Sequence, residues 1–233
     1  MMKKINSRTG MIVSAITVLL ILGINGTVIA ADQQGTGVYP LDYCIVSGEK
    51  LGVMGDLIVY NYEGREIRFC CKDCVKSFEA KPETYLKKLD AAIIEQQLPY
   101  YPLTTCVVTK EKLDSMGEPI NYVYKNRLIR FCCQGCIGTF LKNPDKYLAE
   151  LDEAVIEQQL KTYPLDTCIV SGSNLGGMGE PINFIYGNRL IRFCCGGCID
   201  TFLKNPSKYL PKLEKTGTEK SKYDQESHEK HDH

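Results

Sequence analysis

One triplet, Tyr39-Pro40-Leu41, returns as Tyr101-Pro102-Leu103 and Tyr163-Pro164-Leu165, a period of 62 residues. Each return brings the same cysteine pattern. A lone Cys44, Cys106 or Cys168 comes first, and about 25 residues later follow Cys70, Cys71 and Cys74, or Cys132, Cys133 and Cys136, or Cys194, Cys195 and Cys198. These are all 12 cysteines of the 233-residue chain. Length alone suggests one or two domains; the period overrides it and divides the chain into three units, residues 39–98, 101–160 and 163–214. Each unit is near the size at which an apolar core is marginal and metals or disulfides serve as staples. The first unit has diverged, with Lys72-Asp73 where the second has Gln134-Gly135, yet it keeps every cysteine.

Outside the units the composition changes. Lys3, Lys4 and Arg8 precede an apolar run from Met11 to Ile24, and Val28-Ile29-Ala30 closes a small-residue cleavage pattern, so residues 1–30 read as a secretory signal peptide. Fourteen residues at a rise of about 1.5 Å are too short for a membrane core of about 30 Å, so membrane contact is expected only through this segment before cleavage. The mature product is expected to be secreted or periplasmic, where thiols can oxidise. Lys plus Arg and Asp plus Glu both number 28, leaving no excess of basic residues for a phosphate backbone, so no nucleic-acid partner is expected. Residues 215–233 are rich in Lys, Glu, Ser, Asp and His and read as a disordered tail. Its His228, His231 and His233 could capture Cu(II), Zn or Ni; an expression tag is the bland alternative, against which the interrupting Glu, Lys and Asp argue.

Within a unit, β-branched and aromatic runs at 58–62 and 65–69 flank Glu63-Gly64, and the matching positions hold Lys125-Asn126 and Gly187-Asn188. Gly and Asn tolerate the positive φ of a two-residue hairpin loop, so each unit is expected to contain a β-hairpin. A short helix from about Lys72 to Glu79 follows, with Cys74 and Phe78 on one face. A second helix starts at Pro82, Pro144 and Pro206, carries Tyr85, Leu86 and Leu89 at core spacing in the first unit, and is cut short by Pro211 in the third. Helix-like runs at 90–98 and 152–160 join the units. A closed hairpin brings the lone early sulfur from its turn against the three at the helix start, the geometry of a treble clef, and lets several thiolates converge on one ion.

The pattern of one Cys, a long gap, Phe69-Cys70 with Cys74 and Phe78, then Pro82-Glu83-Thr84-Tyr85-Leu86 resembles the TRASH and YHS families, and it covers nearly all of residues 39–90, 101–152 and 163–214. The resemblance implies a small α+β fold of three tandem zinc-finger-like modules, each a β-hairpin followed by two short helices. It also implies binding of a soft ion such as Zn or Cu(I) through thiolates, with no catalysis, and a link to metal transport or resistance proteins. Related four-cysteine fingers carry a second Cys three positions after the first, where this chain has Ser47, Thr109 and Ser171. The fourth sulfur could instead be Cys71, Cys133 or Cys195; the alternative is that these are small buried fillers. All twelve cysteines therefore stand as candidate ligands.

Met54, Met116 and Met178 recur in Met-Gly pairs and are read first as packing residues, though thioethers favour Cu(I). Arg65, Arg68, Arg127, Arg130, Arg189 and Arg192 flank the hairpins and are read as covering a solvated strand face rather than lowering thiol pKa values. Two other readings compete. An even cysteine count in an oxidising compartment suits a disulfide-stapled interaction protein, although adjacent cysteines pair awkwardly. A thiol-disulfide oxidoreductase would use Cys71-x-x-Cys74, but its fold needs more chain than one unit holds. Haem attachment requires a His where Val75, Ile137 and Ile199 stand, and no hydrolytic constellation recurs.

Overall fold

The computed structural model describes residues 37–53 and 55–214. The signal-peptide reading of 1–30, Met54 and the tail with its three histidines lie outside the described residues. Each unit contains a two-stranded antiparallel sheet: β1 (Ile58–Tyr62) with β2 (Arg65–Phe69), β3 (Ile120–Tyr124) with β4 (Arg127–Phe131), and β5 (Ile182–Tyr186) with β6 (Arg189–Phe193). The register is identical in all three, pairing Ile58 with Phe69, Ile120 with Phe131 and Ile182 with Phe193. Positive φ appears at both loop residues of the first two hairpins, Glu63 (52°) with Gly64 (78°) and Lys125 (45°) with Asn126 (61°). In the third only Gly187 (63°) adopts it, and a Cβ there would lie 3.0 Å from the Gln97 side chain.

Helices follow each hairpin. The first of each pair are α1 (Lys72–Ala80), α3 (Gly135–Lys142) and α5 (Gly197–Lys204). The second are α2 (Pro82–Gln97), α4 (Pro144–Leu160) and α6 (Pro206–Tyr209), each with proline in its first turn. The expected order of a hairpin and two helices holds in each unit, and only the length of the second helix departs from expectation. At 16 and 17 residues, α2 takes in the run at 90–98 up to Gln97 and α4 all of 152–160, because Leu89 and Ile93, and Leu151 and Val155, continue one buried stripe. Only α6 is short, ending at Tyr209 ahead of Pro211. Among the described residues no helix is long and apolar enough to cross a membrane.

Every unit has its own core of aromatic rings beneath the cysteines. Phe69 and Phe78 lie 5.5 Å apart, Phe131 and Phe140 5.5 Å, and Phe193 and Phe202 5.6 Å, all six fully buried. The tyrosine of the recurring triplet ties the leading loop to the hairpin in units two and three. Backbone N–H of Arg130 donates to the Tyr101 hydroxyl (3.1 Å), and that of Arg192 to the Tyr163 hydroxyl (2.9 Å), while each arginine lies over the same ring.

The units pack against one another. Gln97, at the end of α2, donates to the Asn126 carbonyl (2.9 Å) and accepts from Leu128 N–H (2.8 Å), clasping the next hairpin; Gln159 repeats this on Asn188 and Leu190, both at 2.8 Å. On the first hairpin the leading segment takes that place, with Glu66 N–H donating to the Gly37 carbonyl at 2.7 Å. Unit one also meets unit three, where the Tyr186 hydroxyl donates to the Tyr39 carbonyl (3.1 Å) and Arg68 to the Leu203 carbonyl (2.9 Å).

Arg65, Arg68 and Arg127 hold these seams, and Arg130 and Arg192 lie over tyrosines of their own units, which overturns the reading of the hairpin arginines as a solvated face. None of the six is exposed, and Arg127 is 1% accessible. Arg65 donates to Asn126 Oδ1 (2.9 Å) and pairs with Asp90 (2.6 Å); Arg127 donates to Asn188 Oδ1 (3.1 Å) and pairs with Asp152 (2.5 Å). The second pair is fully enclosed, and neither Arg127 Nη finds an aligned hydrogen-bond acceptor, so it is held by charge. For Arg65, Arg68 and Arg127 part of the covering surface comes from another repeat, which a single unit does not contain.

Candidate metal centre

The first cysteine of each unit sits in a tight turn closed on both sides. Cys44 N–H donates to the Glu49 carbonyl (2.8 Å) and Gly48 N–H to the Cys44 carbonyl (2.7 Å); Cys106 and Cys168 repeat both bonds. The turn needs a left-handed residue at its fifth position, supplied by Gly48 (φ 78°), Lys110 (66°) and Gly172 (74°). The second cysteine directly follows the hairpin, and the fourth lies in the first turn of the next helix or close to its start. Because the strands pair in fixed register, these three elements meet at one point.

In every unit three sulfurs converge: Cys44, Cys70 and Cys74; Cys106, Cys132 and Cys136; Cys168, Cys194 and Cys198, each set with its Sγ atoms within 4.8 Å of one another. Sγ of Cys70 and Cys74 are 3.6 Å apart, of Cys132 and Cys136 3.8 Å, and of Cys194 and Cys198 3.9 Å. Two sulfurs bonded to one ion at about 2.3 Å stand about 3.8 Å apart at a tetrahedral angle and about 4.0 Å at a trigonal one. The donor set is sulfur alone, and eight of the nine members are buried, which suits a soft ion. All twelve cysteines are unbridged.

Cys71, Cys133 and Cys195 stand apart from the triads. Each is half-buried and lies beside the helix cysteine of its triad, with Sγ 3.5, 3.4 and 3.8 Å from Cys74, Cys136 and Cys198; Cys195 also lies 3.9 Å from Cys194. They are not the buried fillers of one sequence reading.

Residues that the sequence reading passed over as poor ligands turn out to line the sulfurs. Ser47 Oγ is 3.3 Å from Cys70 Sγ, Thr109 Oγ1 is 3.4 Å from Cys132 Sγ, and Ser171 Oγ is 3.4 Å from Cys194 Sγ. Each hydroxyl oxygen already accepts a backbone N–H, from Glu49, Glu111 and Ser173, which leaves its proton free for sulfur. The signal available was their fixed place three residues after the first cysteine.

Electrostatically the three sulfurs differ. Burial pushes Cys44 upward, but N–H groups of Ser47, Cys70 and Val46 and the Ser47 hydroxyl overcome it and bring the thiol down to about 7. Cys106 behaves alike, at about 7. Cys168 falls to about 6, where burial is again opposed first by the Ser171 hydroxyl. Burial and hydrogen bonds with neighbouring sulfurs hold Cys74 and Cys136 well above the usual thiol range and raise Cys198 to about 12. The turn cysteine of each unit thus gives up its proton more readily than the helix cysteine, whose proton an ion must displace.

Met116 and Met178 are 71% exposed, so the packing reading of the Met-Gly pairs does not hold for these two. The loops that carry them place the side chains outside the core. No family model matches the chain, and no curated protein or solved structure matches it. The class defined by fold and site is therefore a three-unit α+β protein with a three-cysteine cluster per unit that could hold a metal ion.

Proposed function

We propose that this chain is an exported heavy-metal-binding protein of the TRASH/YHS type that carries or buffers a soft ion, Cu(I) or Zn, with one ion per unit. The observation that carries the proposal is the threefold recurrence of a buried, all-sulfur triad built from a turn, a strand end and a helix start. Three rigid elements fix the donors before any ion arrives, so little ordering accompanies binding. The chain acts without catalysis: its sulfurs hold the ion, the turn amides stabilise the first thiolate, and the hydroxyls of Ser47, Thr109 and Ser171 orient the second. The signal segment delivers it to a secreted or periplasmic location, where a metal-transport or resistance protein is the expected recipient.

The test is loading of the reduced full chain with Cu(I) or Zn(II) followed by elemental analysis. Cys44→Ser with Cys74→Ser should lower the content from three ions to two. Retention of three equivalents would refute the assignment of that triad.

A further inference from the structure

We propose that Cys71, Cys133 and Cys195 are exchange ligands: they stand outside the resident triad and receive its ion on the way in or out. The inference rests on the triad reading above and adds the route by which an enclosed ion is reached. Eight of the nine triad cysteines are buried, so a thiolate of another molecule has little direct access to an ion held among them. In every unit a partly accessible fourth sulfur lies beside the triad's helix cysteine, at 3.5, 3.4 and 3.8 Å. That spacing already matches two sulfurs sharing one ion, about 3.8 Å for bonds of about 2.3 Å. The fourth sulfur is excluded from each convergent cluster, so it can share the ion with the helix cysteine without completing a closed four-sulfur cage.

The sequence of bonds follows. The ion forms a bond to Cys71 Sγ while keeping its bond to Cys74, and the bonds to Cys70 and Cys44 break, Cys44 leaving with its electron pair as a thiolate. Cys71 gives up its thiol proton and Cys70, leaving as a thiolate, takes one up, directly or through solvent, so charge and protons balance with no change of oxidation state. Ser47 Oγ, 3.3 Å from Cys70 Sγ, remains a hydrogen-bond partner for the freed sulfur. The ion is then held at the rim by Cys71 and Cys74, where an incoming thiolate or chelator can bind it. Thr109 with Cys132, and Ser171 with Cys194, provide the same arrangement in the other units.

The test uses the full chain loaded with Cu(I) and a chromogenic Cu(I) chelator in excess. In the variant carrying Cys71→Ser, Cys133→Ser and Cys195→Ser, loading should remain at three Cu(I) per chain while the rate of loss falls about tenfold or more, equivalent to about 1.4 kcal/mol on the barrier. Cys71→Ser alone should slow one of the three equivalents and leave two fast, which separates an exchange effect from general misfolding. Loss at the wild-type rate overturns the proposal. So does a fall in stoichiometry with one ion lost per substituted unit, since the fourth sulfur would then be a resident ligand. Failure of the wild-type chain to load Cu(I) at all appears before any rate is measured and overturns the triad reading itself, and this proposal with it.

Discussion

Replacing Asp152 with Asn removes a charge and almost nothing else, and the repeat supplies its own controls. Arg127 and Asp152 have side chains 1% and 3% accessible, so the substitution leaves a guanidinium enclosed without its counter-ion. Breaking one half of such a pair destabilises by about 3–5 kcal/mol. For a chain of this size that is a fall in Tm of about 6–20 °C. The same substitution at Asp90, 38% accessible opposite Arg65, should cost about 1 kcal/mol or less, and Glu214→Gln, with Glu214 61% accessible, almost nothing measurable. Thermal unfolding followed by circular dichroism, at fixed pH and metal content, checks all three. Equal losses at Asp90 and Asp152 would refute the argument, because enclosure would not then set the magnitude. A double replacement, Arg127→Met with Asp152→Leu, should recover only part of the loss, because it removes the unpaired charge but leaves the buried Asn188 Oδ1 without its donor, at about 1–3 kcal/mol. Arg127 also donates to Asn188 Oδ1, so Asp152→Asn should loosen the seam between units two and three before the individual hairpins.

Gln97→Ala deprives the Leu128 N–H and Asn126 carbonyl of their partner and should cost about 2–3 kcal/mol in urea unfolding; an effect below about 0.5 kcal/mol would mean water replaces the amide. In the metal-free chain, thiolate absorbance should titrate with midpoints near 7 for Cys44 and Cys106 and near 6 for Cys168, and Ser171→Ala should move the last upward; a single transition near 9 would contradict the assignment. Because these folded values are depressed, their stabilising contribution is fully present above the unfolded value near 9, declines as pH falls from there, and is gone below about 6. If residues 1–30 are removed on export, the mature chain should begin at Ala31 by terminal mass analysis, and an intact Met1 in the exported protein would contradict the signal reading.

Much of a unit was legible because its signals are local. Glycine or asparagine in a two-residue loop specified the hairpins, proline in a first turn started the second helices, and Cys74 with Phe78 at helical spacing set the inward face of α1. The convergence of the lone cysteine with the later group followed from the hairpin between them. The split of four sulfurs into three plus one was not legible, since neighbouring residues point to different sides only once the strand-to-helix corner is known. The seams were hidden for another reason. Arg127 finds Asp152 25 residues on and Asn188 61 residues on, so no window of secondary-structure length contains the partners. A sequence signal did exist: an acidic residue, Asp90, Asp152 or Glu214, stands 25 positions after the first hairpin arginine in each unit. Gln97 and Gln159 also recur, 62 residues apart, each ahead of the hairpin it clasps.

The central claim is most directly tested on protein isolated without reductant, by measuring bound metal and free thiols in the same sample before and after chelation. Three soft ions per chain, with twelve thiols titratable after their removal, is the expected result. A metal-free chain with its cysteines already paired as disulfides would contradict it.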